Sequence, residues 1–147
     1  MNTTSITAAS RPSKGLHIIL WILQVLLAGF FAMAGFMKLT TPIETMAAQA
    51  PWVLNAPSLL IRFIGLSEVL GALGLLIPSL TRIKPKLTVL AAYGLALVMV
   101  LAALFHMSRK EYSAIPINIL VAGVALFIAW GRSKKAPIPD RQEKIAS

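Results

Sequence analysis

The chain has 147 residues, of which 57% are hydrophobic and 13% charged, with a formal net charge of +9 and a mean hydropathy of +0.78. So few charges cannot cover the surface of a water-soluble domain, and the composition is that of an integral membrane protein. The absence of cysteine excludes disulfides, thiolate metal sites and thiol–disulfide catalysis carried by this chain. The positive charge does not indicate a nucleic-acid partner: Lys and Arg lie mostly in short loops and tails, where topology alone puts them, so the expected partner is the lipid bilayer.

In chain order, a tail over 1–15 carries Arg11 and Lys14 and leads into the first of four apolar stretches, at 16–37, 58–77, 87–107 and 113–130. Each has about 18–22 residues, against about 20 needed to cross a bilayer at 1.5 Å per residue. Helices are the only open-ended elements that satisfy every backbone N–H and C=O inside lipid. The expected fold is therefore all-α, an integral membrane four-helix bundle over 16–132. Ala32-Met33-Ala34 resembles a signal-peptide cleavage site, but the apolar run continues to Met37 and is long enough to span, so the first stretch is read as a span.

The first loop is the longest. Thr41-Pro42-Ile43-Glu44 reads as a capping box with proline at the first helical position, and Ile43, Met46, Ala47 and Ala50 recur at helical spacing. This predicts a short helix on the outer face, ended by Pro51 and anchored at the interface by Trp52, as a cap over the bundle or a gating lid. The second loop carries Arg82, Lys84 and Lys86 as a basic turn facing anionic lipid headgroups. Beyond the fourth span, 133–147 reads as a flexible basic tail. Arg11, Lys14, Arg82, Lys84, Lys86, Arg132, Lys134, Lys135, Arg141 and Lys144 fall on one side of a four-span topology, against Lys38, Arg109 and Lys110 on the other. By the positive-inside rule both termini are expected in the cytoplasm.

Each span carries one polar residue on a stripe of small ones. Gln24 lines up with Ala28, Ala32 and Gly35, Glu68 with Gly65 and Ala72, His106 follows Ala102 and Ala103, and Asn118 lies with Ala114, Ala122, Ala125 and Ala129. Small residues admit neighbouring helices, so all four polar groups are expected to point into one bundle. Counting from the outer face, Arg62 lies roughly 6 Å deep, Asn118 roughly 8 Å and Glu68 roughly 15 Å. The predicted site is an outward-facing funnel with Lys38, Arg62 and His106 at its mouth, Asn118 below and Glu68 near the bottom, with Gln24 near or past the middle. A buried carboxylate costs several kcal/mol unless it is paired, hydrated or protonated. Arg62 sits about 120° around the helix from Glu68, so pairing within the helix is not guaranteed and Lys38 and His106 are equal candidates, the alternative being a neutral, hydrogen-bonding Glu68. Histidines 17 and 106 fall at opposite membrane faces, which rules out a bis-histidine haem, and no spacing suggests a metal site.

Met37-Lys38-Leu39 followed by Pro42, then GLSEVLGALGLLIP, then LAAYGLALVMVLAALFHMSRKE, resemble the DoxX-like family of small four-helix bacterial membrane proteins. The resemblance runs from the first span through Arg132. It implies a multi-pass protein of the bacterial inner membrane. The family takes its name from a membrane subunit of a thiosulfate:quinone oxidoreductase, and some relatives are described as membrane partners in redox or oxidative-stress complexes. The family's recurrent polar positions correspond here to Lys38, Glu68 and His106. A quinone is the cofactor this resemblance implies, and a redox partner subunit or a second copy of the chain is the implied partner. The alternative function is a non-catalytic assembly module or a carrier of protons or small solutes.

Overall fold

The computed structural model describes residues 13–142; Arg11, Lys144 and the outer parts of both tails lie outside them. The described chain is helical, with no strand. Helix α1 spans Lys14–Thr40, α2 Ile43–Ala47, α3 Ser58–Thr81, α4 Lys86–Ser108 and α5 Ile115–Trp130. Four helices, with α5 extended at both ends by tighter and wider turns, are long and apolar enough to cross a membrane. The surface agrees with that reading. Leu26, Leu59, Leu90 and Leu120 are each more than 60% exposed, which is a lipid-facing arrangement for large apolar side chains in such numbers.

The long helices close into a ring. α3 packs extensively on α1 and on α4, α4 on α5, and α5 more thinly on α1. The core along the ring contains Leu20, Phe31, Leu75, Leu95 and Ile128, all essentially inaccessible. The beginning of α1 and the end of α5 lie together: a Cβ on Gly131 would meet Leu20 Cδ2 at 2.6 Å. This terminal end also holds the α3–α4 turn, and the opposite end holds the first loop.

Local chemistry explains the helix limits. The Ser13 side chain accepts from the Leu16 N–H at 3.2 Å, so α1 starts before the apolar run does. The capping box expected at Thr41 is not formed. Thr41 closes α1, its N–H bonding Met37 O at 2.9 Å, and α2 begins after Pro42 with no side-chain cap. The same four residues are needed to finish one helix before the next can start. Pro51 opens a 3-10 turn over Pro51–Asn55 rather than simply ending α2. Around Met46, Val53 and Ile61, α2 and this turn form a small separate apolar cluster that caps the first-loop end. α3 continues past 77 through Pro78 to Thr81 and stops at Arg82, which adopts a left-handed φ of 57°.

The stripes are mostly as expected, with one exception: Ala32 faces out and Phe31 takes the buried position between Ala28 and Gly35. The tail beyond the fourth span packs in part. A π turn at Gly131–Lys135 follows α5, Ala136 is fully buried, and the Arg141 N–H donates to Arg82 O at 2.9 Å.

Candidate functional site

At the first-loop end, α1 and α3 come unusually close. A Cβ on Gly35 would lie 2.6 Å from the Gly65 carbonyl oxygen, and one on Gly65 would lie 2.8 Å from Lys38 Cβ. Only glycine permits this approach, and it brings Lys38 to Glu68. Lys38 Nζ donates to Glu68 Oε1 at 3.0 Å and to Oε2 at 2.8 Å. The Glu68 side chain is 3% exposed and that of Lys38 17%. Lys38 is therefore the partner that burial of Glu68 requires.

Arg62 has a different task. Lys38 O would bond the N–H four residues on, but that residue is Pro42, which has none. The Arg62 guanidinium donates to this orphaned carbonyl, tying α3 to the end of α1 beside the ion pair.

His106 faces elsewhere. α4 ends with Lys110 at a left-handed φ of 60°. The Glu111 N–H returns to His106 O at 2.9 Å and the Lys110 N–H to Met107 O at 3.1 Å, which is a Schellman motif with lysine at the glycine position. This folds Glu111 back onto His106: Nδ1 lies 2.7 Å from Glu111 Oε2, and Arg109 Nε donates to Oε1 at 2.9 Å. Hydrogen bonding to His106, and secondarily to Arg109, holds the Glu111 carboxyl below its ordinary range. Trp52 stands edge-on to His106 at 6.2 Å and to Phe105 at 5.7 Å, so its partner is this helix end as much as the interface.

Asn118 is buried, and its Nδ2 has no acceptor among the described residues. Gln24 is fully buried but belongs to the terminal end. Its Nε2 donates to Leu75 O at 2.8 Å and to Ser79 Oγ at 3.3 Å, and its Oε1 accepts from Arg132 Nε. Ser79 Oγ and Thr88 Oγ1 lie 2.7 Å apart. Trp21 Nε1 donates to His17 Nε2 at 3.1 Å while Arg132 Nη1 lies 3.2 Å from His17 Nδ1. A neutral imidazole has one acceptor nitrogen, so it satisfies one of these donors at a time.

The six expected residues thus separate. Lys38, Arg62 and Glu68 form one unit, His106 joins Glu111 beside it, Asn118 stands alone, and Gln24 belongs to a second cluster at the other end. Among the described residues no hydrogen bond joins His106, Asn118 or Gln24 to the Lys38–Glu68 pair, and the two main cavities touch none of these five. Lys38 closes directly on Glu68 at the bottom of the expected funnel.

Sequence reasoning missed Arg132, Ser79, Thr88 and Glu111. Arg132 had a readable signal: it follows Ala129 by three and so continues the stripe of Asn118, Ala122 and Ala125. Glu111 had none, because the turn that returns it is not glycine-marked.

Four apolar crossing helices with charged pairs turned inward define a multi-pass α-helical membrane protein. A family model described as the DoxX-like family matches residues 22–129. The chain belongs to that family. No curated protein and no solved structure matches it.

Proposed function

We propose that the chain is the membrane subunit of a quinone-linked oxidoreductase or redox-stress complex in a bacterial inner membrane, with both termini cytoplasmic. The observation that carries this reading is the buried Lys38–Glu68 pair between α1 and α3. Quinone chemistry needs a donor to the carbonyl oxygen and a group that exchanges protons. Lys38 has three ammonium hydrogens and gives two to Glu68, leaving one for a carbonyl, while Glu68 is the proton-exchanging group. These residues fit a quinone headgroup, which enters by loosening the pair. With no cysteine in the chain, electrons come from a partner subunit carrying the redox centre.

Extraction of the protein in mild detergent tests this. A bound quinone, or a thermal shift on adding one that is lost in Glu68→Gln, supports it; no extracted quinone and no response overturn it.

The closure of the pair favours a second reading, a non-catalytic assembly module in which Lys38–Glu68 staples α1 to α3. It expects a co-purifying membrane partner that stays bound in Glu68→Gln. A proton or solute carrier expects that variant to lose flux in liposomes while still folding.

A further inference from the structure

The terminal end holds a buried cation without a counter-charge among the described residues. The Arg132 side chain is 3% exposed. Its Nε goes to Gln24 and its Nη1 to Ala136 O at 3.2 Å and towards His17, while Nη2 has no acceptor among the described residues. Among the described residues no carboxylate pairs with it. Burying a guanidinium without a counter-ion is costly, and the need falls specifically on an anion.

Arg132 lies in the lining of a cleft of about 880 Å³, together with Ser79, Thr88, Lys84 and Lys86. The Ser79 and Thr88 hydroxyls share one hydrogen bond, which uses one of their two hydrogens. The buried side-chain atom left without a partner here, Arg132 Nη2, is a donor. Among the described residues the one carboxylate on the rim, Asp140, accepts from the Gln142 N–H at 3.0 Å.

A second, apolar groove of about 480 Å³ runs between α3 and α4, lined by Gly71, Gly74, Ala91 and Gly94 and reaching from Leu87 to Val98. Leu87 lines both cavities. From Leu87 to Val98 is about 16 Å along the helix, half of the roughly 30 Å hydrocarbon core and so the depth of one leaflet. A cleft edged by cations at the membrane end thus adjoins, at Leu87, an apolar groove one leaflet long.

We propose that these two cavities together bind one anionic phospholipid, its phosphate over Arg132 between Lys84 and Lys86 and an acyl chain along the α3–α4 groove. The shared chemistry is a phosphate oxygen; the groove selects the lipid over the free ion. The site is independent of Lys38–Glu68.

Native mass spectrometry of the detergent-purified chain, titrated with phosphatidylglycerol, phosphatidylcholine or inorganic phosphate, tests it. Lys84 and Lys86 are exposed, and a Cβ on Gly94 meets only open space, so K84Q/K86Q and Gly94→Leu leave the packing intact. Phosphatidylglycerol should be retained about tenfold more strongly than phosphatidylcholine, and K84Q/K86Q should remove most of that preference. Gly94→Leu should weaken retention about threefold by filling the groove. The charge-matched K134Q/K135Q, outside the cleft, should change it less than about twofold. Equal retention of the two lipids, or equal losses in the two lysine pairs, overturns the proposal. So does saturable binding of inorganic phosphate that Gly94→Leu and phosphatidylglycerol leave untouched, which assigns the cleft to the free ion.

Discussion

The two ends of the bundle bury charge in opposite ways. At the first-loop end Lys38 meets Glu68 bidentately and His106 and Arg109 meet Glu111, so every buried or half-buried carboxylate has a cation. At the terminal end Arg132 is as deeply buried as Glu68 but is held, among the described residues, by neutral groups: the acceptors Gln24, Ala136 and the His17 ring, and the face of Trp21 at 5.2 Å. The difference shows how an inward charge can be tolerated without a partner: by a network of neutral acceptors, at the price of an unsatisfied N–H. Among the described residues, the carboxylate buried at the first end has its cation, whereas the guanidinium buried at the second has no anion.

The sharpest break of this comparison is to remove one member of the complete pair. Lys38→Met leaves the Glu68 carboxylate buried alone and should cost about 3 kcal/mol in detergent unfolding. Combining it with Glu68→Leu should recover much of that loss, since two apolar groups replace a matched pair. A double variant no better than the single would mean that the pair is not the source of the cost. Next in size is the contact that creates the pair. Gly35→Ala drives a methyl to 2.6 Å from the Gly65 carbonyl oxygen and should cost about 1–3 kcal/mol by forcing α1 from α3. Gly94→Ala, which meets open space, serves as its control in the same assay.

At the other end, Arg132→Met removes an uncompensated cation as well as the Gln24 contact. The two effects oppose, so it should cost about 1 kcal/mol, clearly less than Lys38→Met. A loss equal to that of Lys38→Met would erase the distinction between the ends. The smallest effect concerns Glu111. Its carboxyl is held below the ordinary range in the folded protein, chiefly by His106. The folded form therefore gains stability above the usual carboxylate pKa, near about 4.3, and loses it as the pH falls through the lower folded value. Thermal unfolding followed from pH 6 downward should show a smaller acid-side decline in Glu111→Gln than in the parent chain.

Much of this was legible in the sequence. Hydropathy gave the four crossing helices to within a few residues, and helical spacing put Gln24, Glu68 and Asn118 on buried faces. The capping box at Thr41 misled because a capping signature cannot tell the start of one helix from the end of another. The tail was read as flexible because lysines and prolines dominate 133–142, although its first turn seats Arg132 inside the bundle and buries Ala136.

The sequence by itself determined what each helix does alone: its length against the bilayer, which face is apolar and which residue on that face is polar. These follow from the 3.6-residue period and from the cost of backbone and charge in hydrocarbon, both local properties. Only the tertiary structure decided the pairings. Whether Glu68 meets Lys38, Arg62 or His106 depends on the rotation and closeness of two other helices, set here by the glycine contact of α1 with α3 and by the turn that gives His106 its own carboxylate. The same logic separated Gln24 from the Lys38–Glu68 pair: one shared buried face places residues inward, but depth along the bundle decides which of them touch.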